Sequence, residues 1–172
     1  MTSRHMLAGT SSLLLAAVVT WVAGLRVNLS GSMPIGLYRV STQPAARGAM
    51  VLACLPMDVA IVARSRGYIP HGPCPGATAP IGKVVLAMVG DAVEVTTEGL
   101  LVNGRPVQNT KPLPVDAVGR SLRRFPDGTY IVGRDDVWLY SPYSARSFDS
   151  RYFGPVPRSC ILSRVLPMWT IE

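Results

Sequence analysis

Apolar positions fall into one long stretch at the start of the chain and then into short segments separated by turn residues. The first stretch, residues 7–25, carries no charge and includes the run Leu13–Val19. A helix of this length rises about 28 Å at 1.5 Å per residue, close to the hydrocarbon thickness of a bilayer. We therefore predict a membrane helix over Leu7–Leu25, within an N-terminal anchor over residues 1–26.

The later segments have the length and patterning of β-strands. Ala92–Thr96 alternates between apolar and polar residues, Val84–Val89 is a fully apolar run typical of a central strand, and Asn103-Gly104 is a two-residue hairpin signal. Strands are predicted over Leu37–Val40, Ala49–Leu55, Val84–Val89, Ala92–Thr96, Leu100–Val102, Thr129–Val132, Val137–Tyr140 and Cys160–Val165, the last continuing to Met168-Trp169. One short helix is predicted over Asp58–Arg66, with loops over Gly67–Pro80 and Asn109–Leu122. We expect a mainly β domain over residues 27–172.

A cleaved secretory signal is the alternative interpretation of the apolar stretch. Such signals end in a small-x-small site, and Trp21 stands where Ala23 would need a small residue two positions earlier. An uncleaved anchor is therefore favoured. Arg4 and Arg26 flank the stretch almost symmetrically, so the charges alone do not fix its orientation.

Composition supports a turn-rich domain and narrows the choice of partners. The chain has 16 glycines and 15 prolines, and 17 basic against 10 acidic residues give a net charge of +7. A basic excess suits anionic lipid headgroups, although an ordinary solvated surface has the same composition. Basic residues do not cluster with aromatic ones as a nucleic-acid site requires, so we expect no nucleic-acid partner.

Ser32 lies in a segment with unusual backbone restrictions, Ser30-Gly31-Ser32-Met33-Pro34, directly after the apolar stretch. Gly31 permits close approach of another chain, while Pro34 fixes its own φ and biases Met33 toward an extended conformation. A rigid loop of this kind can present the Ser32 hydroxyl to a substrate. The alternative is an ordinary turn between membrane and domain.

Lys83 is the second residue with candidate chemistry, because it enters the apolar run Val84–Val89. Burial disfavours the ammonium form and lowers the pKa of lysine. A neutral amine can activate a serine without histidine, and lowering a lysine pKa from ~10.4 to ~7 requires about 4–5 kcal/mol. The alternative is that Lys83 sits at the start of the strand and extends its ammonium into water.

The histidines and cysteines exclude other chemistries. His5 precedes the predicted anchor and His71 lies between Pro70 and Gly72, so a Ser-His-Asp triad is not expected. The Cys/His spacing does not match a zinc site, and we expect neither a metal nor a cofactor. Cys54 and Cys74 bracket a loop that a disulfide would stabilise by about 3 kcal/mol in an oxidising compartment, leaving Cys160 unpaired. Three reduced cysteines are the alternative.

Three segments together resemble the serine, lysine and C-terminal boxes of the type I signal peptidase family. They are Ser30–Pro34, Lys83–Val85 running to Gly90-Asp91, and Ser147–Gly154, in that order. The resemblance covers essentially the whole chain. Within the family, the TraF-type peptidases of conjugative transfer systems are most similar, through Gly36-Leu37-Tyr38, Cys54-Leu55-Pro56, the Arg64–Pro75 loop with Cys74, and Phe148–Pro155.

The first two boxes imply a nucleophile and a base. By resemblance, Ser32 is the nucleophile and Lys83 its general base. Ser30 matches the residue whose side chain forms the oxyanion hole with the backbone N–H of Ser32. Preorganised donors of this kind contribute about 3–4 kcal/mol in a transition state.

The third box implies supporting residues. Ser147 matches a hydroxyl that orients the lysine amine. Asp149 matches a residue treated as catalytic among TraF-like enzymes, and Arg151 matches a basic residue that helps to hold the site together. A purely structural ion pair between Asp149 and Arg151 is the alternative.

The resemblance implies a membrane-anchored serine endopeptidase with a signal-peptidase-like folded β-sheet or barrel. It would lie in the cytoplasmic (inner) membrane with its catalytic domain in the periplasm, and process secreted or pilin precursors. In TraF-like enzymes the acyl group can pass to the substrate's own amino terminus, which closes a pilin into a ring. The implied partners are a peptide substrate and the membrane, and contact with type IV secretion components is left open.

Two other functions remain open from the sequence. One is a general signal peptidase, which is disfavoured because Ala49 and Val89 replace the family's usual Asp and Pro. The other is a non-catalytic anchored β module of a secretion assembly, which is disfavoured because Ser32 and Lys83 are both retained.

Overall fold

Two antiparallel sheets make up the domain in a computed structural model that describes residues 24–171. The larger sheet has the order β1-β2-β12-β3-β5-β10-β11 and the smaller one β8-β7-β6-β9. The strands are β1 (Leu25–Asn28), β2 (Ile35–Ser41), β3 (Met50–Ala53), β4 (His71–Cys74), β5 (Ile81–Ala87), β6 (Ala92–Thr96), β7 (Gly99–Val102), β8 (Arg105–Pro106), β9 (Gly128–Ile131), β10 (Asp136–Tyr140), β11 (Val156–Pro157) and β12 (Ile161–Ile171). The predicted mainly β class is confirmed, and within the described residues the larger sheet runs open from β1 to β11 instead of closing into a barrel.

Two short α-helices accompany the sheets, α1 (Met57–Ser65) and α2 (Ser150–Phe153), with single 3₁₀ turns at Pro75–Ala77 and Arg158–Cys160. Helix α1 matches the predicted helix to within a residue. Its buried face, Ala60 and Ala63, packs in a cluster with Leu55 and Ile69. α1 therefore covers one end of the larger sheet.

β1 contradicts one end of the predicted membrane helix. Leu25 and Arg26 pair with Arg39 and Tyr38 of β2, so both belong to the sheet and not to an anchor. The rest of the predicted anchor lies outside the described residues, and its assignment stays a prediction. Within residues 24–171 no helix has the length and apolar character needed to cross a membrane.

One further segment, β4, differs from the sequence prediction, whereas the single last strand, β12, is confirmed. β4 lies inside the predicted loop Gly67–Pro80, where only isolated bridges to Thr78 support it. β12 is one strand of 11 residues, and its register against β2 shifts between Pro167 and Trp169. Proline lacks the N–H that a regular ladder needs, which explains an irregularity at this position.

β5 is the strand around which the core forms. It lies between β3 and β10, and every residue from Gly82 to Ala87 is buried. The hairpin predicted at Asn103-Gly104 is present between β7 and β8, with φ of 52° and 75° at the two turn residues. A disulfide joins Cys54, just after β3, to Cys74 at the end of β4, and Cys160 is a free thiol. The disulfide ties the β4 loop to the sheet near β5.

Candidate active site

The loop that carries Ser32 connects β1 to β2, and the side chain of Asn28 holds it in place. Asn28 Nδ2 donates to the carbonyls of Ser30, Met33 and Pro34 at 2.9, 2.9 and 3.0 Å. Its Oδ1 accepts from the Ser30 N–H at 3.2 Å. Sequence reasoning missed Asn28, although Asn beside a turn is the residue type that bonds nearby backbone groups.

A methionine–glycine contact brings this loop against β5. Met33 is buried, and a Cβ at Gly82 would lie 2.4 Å from Met33 Cε. The absence of a side chain at Gly82 therefore leaves room for the Met33 side chain in this position beside β5. The contact places the neighbours of these two residues, Ser32 and Lys83, next to each other.

Lys83 lies between two serine hydroxyls. Its Nζ donates to Ser32 Oγ at 2.8 Å and to Ser147 Oγ at 2.7 Å, and the two hydroxyl oxygens are 3.4 Å apart. Lys83 is only 3% exposed, so its ammonium does not extend into water. Burial lowers the pKa of Lys83 to about 8, with Asp149 raising it and Arg151 lowering it further. A substantial fraction of this amine is therefore neutral near pH 8.

Asp149 and Arg151 form a buried ion pair at the start of α2. Arg151 Nε donates to Asp149 Oδ1 at 2.8 Å and Nη2 donates to Oδ2 at 2.9 Å, with side chains 1% and 0% exposed. Asp149 Oδ1 also accepts from the Arg151 N–H at 3.2 Å, as a helix N-cap does. Among the hydrogen bonds of the described residues, none joins Asp149 to Lys83. Asp149 therefore acts on Lys83 through its charge.

Ser141 links this ion pair to the Ser32 loop and was missed by sequence reasoning. Its N–H donates to Asp149 Oδ2 at 3.2 Å, and its Oγ donates to the Ser32 carbonyl at 2.8 Å. The side chain is fully buried. Ser141 therefore fixes the backbone of Ser32 relative to Asp149.

Ser30 is the predicted residue whose placement differs most from its implied role. It is exposed, and its hydroxyl donates to Asn28 Oδ1 at 2.8 Å. To serve an oxyanion beside the Ser32 N–H, that hydroxyl must leave Asn28. The implied role therefore requires the Ser30 hydroxyl to turn away from Asn28.

Two clefts meet at Ser32, and Ser30, Ser32, Tyr68 and Phe148 line both. The larger, which we call the strand cleft, has a volume of about 520 Å³ and is bordered by Asn28 and by Ile81–Lys83 of β5. The smaller, which we call the loop cleft, has a volume of about 310 Å³. Its distinctive lining residues are Leu113, Val115, Ala117, Leu122, Ser144 and Arg146. Within residues 24–171, no group of three or more His, Cys, Asp or Glu residues is arranged to hold a metal.

Comparison with known proteins places the chain in a family. The family model described as signal peptidase, peptidase S26, matches residues 3–169. The chain belongs to this signal peptidase family. Its members are serine peptidases of the signal peptidase type, which fits a serine hydroxyl beside a buried amine.

Relatives of this family member include plasmid transfer proteins. A plasmid transfer protein TraF of Escherichia coli is 43% identical over 96% of this chain and 93% of its own length. A probable conjugal transfer protein TraF of Sinorhizobium fredii is 42% identical over 92% of this chain and 86% of its own length. The crystal structure of a signal peptidase I from Enterococcus faecalis V583 shares 16% identity, with 73% of this chain and 100% of that chain covered and a TM-score of 0.41.

We expect Ser141→Ala to lower the kcat of this peptidase about tenfold and to leave KM nearly unchanged. The substitution leaves the Ser32 carbonyl without its donor, so the Ser32 hydroxyl is held less firmly beside Lys83, and losing a buried hydrogen bond costs about 1–2 kcal/mol of stability. Steady-state cleavage of a fluorogenic peptide measures both constants. Ser141→Thr keeps the hydroxyl and should recover most of kcat, and an unchanged kcat in Ser141→Ala would contradict the positioning role.

Proposed function

We propose that this protein is a serine endopeptidase in which Lys83 is the general base for Ser32, and that it matures a conjugative pilin. The 2.8 Å contact between Lys83 Nζ and Ser32 Oγ in a buried strand carries the catalytic part of the proposal. The pilin part is supported by the names of the relatives, which are plasmid and conjugal transfer proteins.

Catalysis starts from the neutral amine. Ser32 transfers its hydroxyl proton to Lys83, and the alkoxide attacks the scissile carbonyl carbon. The Ser32 N–H and the rotated Ser30 hydroxyl stabilise the oxyanion. The Lys83 ammonium then protonates the departing amine, which leaves an acyl-enzyme ester on Ser32. Attack by water on this ester gives a linear product, whereas attack by the substrate's own amino terminus gives a ring.

The strand cleft suits the acyl portion of an extended substrate. β3 pairs with β5 from Ile81 to Val84, but β10 pairs with β5 only from Val84 onward. Among the strands of residues 24–171, none therefore pairs with the second edge of Ile81–Lys83, which lies beside Ser32. An extended peptide can add to this edge through main-chain hydrogen bonds, as in other β-augmentation complexes.

An apolar face on β1, β2 and β12 supports a membrane location. Val27 and Trp169 lie opposite the same residue of β2, Leu37, and are 70% and 63% exposed. On the same face, Ile171 of β12 pairs with Ile35 of β2, and both side chains are exposed. We propose that this face rests on the outer surface of the cytoplasmic membrane, with the anchor formed by the residues that precede β1. The Cys54–Cys74 disulfide fits an oxidising compartment such as the periplasm.

The mass of a co-expressed pilin precursor tests the proposed function. Cyclisation predicts a product lighter by one water than the trimmed linear pilin, and Ser32→Ala should leave the precursor intact. The linear mass would indicate a plain endopeptidase. Trimming of signal peptides from unrelated preproteins would favour the general signal peptidase. A precursor that stays intact with the wild-type protein, as it does with Ser32→Ala, would contradict the proposal.

A further inference from the structure

The loop cleft is a preformed pocket, because the segment that makes its apolar wall is folded. Val115 and Ser121 form an antiparallel bridge, and the Leu122 N–H donates to the Pro114 carbonyl at 2.9 Å. The Leu113 N–H donates to Tyr152 Oη at 3.0 Å, which fixes the wall to α2. Part of the predicted loop Asn109–Leu122 is therefore an ordered wall beside Ser32.

Asp116 holds this wall together, and both of its carboxylate oxygens already accept hydrogen bonds from the protein. Its Oδ2 accepts from Tyr68 Oη and Arg120 Nε, both at 2.7 Å, and its Oδ1 accepts from the N–H groups of Val118 and Arg120 at 3.0 and 2.9 Å. These donors hold the pKa of Asp116 well below its usual range. The carboxylate is thus ionised and already paired.

Arg146 supplies the uncompensated charge of the loop cleft. It is exposed, lines the cleft just before Ser147, and takes part in none of the ion pairs found among residues 24–171. The loop cleft therefore has an apolar wall on one part of its lining and, on another, the guanidinium of Arg146, which has no ion-pair partner among residues 24–171. This combination suits a short apolar side chain followed by an anionic group.

We propose that the loop cleft binds the part of the substrate that departs with the leaving amine, and that Arg146 selects an acidic group there. This inference rests on the proposed function. The acyl portion must stay bound until the ester is attacked, and the free edge of β5 in the strand cleft offers it main-chain pairing. The loop cleft also borders Ser32, but it is lined by the wall at Leu113–Leu122 and not by β5. It offers side-chain contacts, which suit a segment that has to dissociate.

Three peptides that differ only at the second residue after the scissile bond test the inference. With Glu, Gln or Lys there, we expect kcat/KM to fall in that order by about two- to fivefold per step, the range of an exposed ion pair, mainly through KM. Added salt should shrink the difference, since the pair is exposed. Arg146→Gln should abolish the preference for Glu over Gln, and Arg146→Lys should keep most of it.

Arg134→Gln is the matched control, because Arg134 is exposed in the turn between β9 and β10 and lines neither cleft. It changes the net charge equally and should leave the preference intact. A Glu preference that survives Arg146→Gln, or one that appears only for residues before the scissile bond, would overturn the inference. Equal cleavage of all three peptides would overturn the inference alone, whereas cleavage of none would overturn the proposed function and the inference with it.

Discussion

Replacing Lys83 with methionine should lower the peptidase rate by about 10³-fold or more while leaving the protein folded. A positioned general base contributes about 10²–10⁴-fold, and Lys83 Nζ is the amine 2.8 Å from Ser32 Oγ. Methionine has a similar length and carries no charge, so the change removes a buried cation without opening a large cavity. Initial rates on a peptide substrate and thermal unfolding followed by circular dichroism measure the two effects.

The same assignment fixes the pH dependence of the wild-type enzyme. Only the neutral amine can accept the Ser32 proton, and burial lowers the pKa of Lys83 to about 8. The rate constant kcat/KM should therefore rise about tenfold per pH unit below this value and level off above it. A flat profile from pH 6 to 9 would contradict an amine base.

Lys111 provides a matched control, because it is the chain's only other lysine. Its side chain is 65% exposed and its Nζ pairs with Glu98 Oε2 at 2.7 Å, whereas Lys83 is buried. Lys111→Met should leave the rate unchanged. In a sample with ¹³C-labelled lysine, each methionine variant removes one of two Cε signals, so the amine of Lys83 can be titrated directly. A Lys83→Met variant that keeps most of its activity would refute the dyad.

The strand pattern was enough to predict the surroundings of Lys83 but not its depth. Local composition predicts a buried strand over Val84–Val89, and β5 is found at Ile81–Ala87, with Val89 exposed beyond its end. The burial of Lys83 depends instead on the Ser32 loop folding over Gly82. That contact joins segments far apart in the sequence. The alternative of an ammonium extending into water was therefore open until the fold was known.

The residues that sequence reasoning missed owe their roles to similar long-range contacts. Ser141 bonds the Ser32 carbonyl across a sequence separation of 109, so no local pattern marks it. Arg146 acquires a candidate role only because the wall at Leu113–Leu122 folds opposite it. β1 was missed for a different reason, since Leu25 and Val27 continue the apolar stretch of the predicted anchor. Hydrophobicity alone does not distinguish a membrane helix from a strand with an exposed apolar face.

Asp149→Asn should destabilise the protein by about 3–5 kcal/mol, the usual cost of leaving one member of a buried ion pair without its partner. Arg151 is 1% exposed and loses both of its carboxylate contacts, while the asparagine oxygen replaces only one of them. Chemical denaturation of the purified protein measures the loss. Asp127→Asn is the control, because Asp127 pairs with Arg124 at an exposed site where such pairs contribute at most about 1 kcal/mol.

The pH profile of Asp149→Asn separates the electrostatic role of Asp149 from its structural one. Asp149 raises the pKa of Lys83 and Arg151 lowers it, so removing the carboxylate leaves only influences that lower it. The midpoint of kcat/KM should therefore move below the wild-type value of about 8. In the double variant Asp149→Asn, Arg151→Met both charges are absent, so stability should recover and the midpoint should return toward that of the wild type. A midpoint that moves upward in Asp149→Asn would show that the charge of Asp149 does not act on Lys83 in this way.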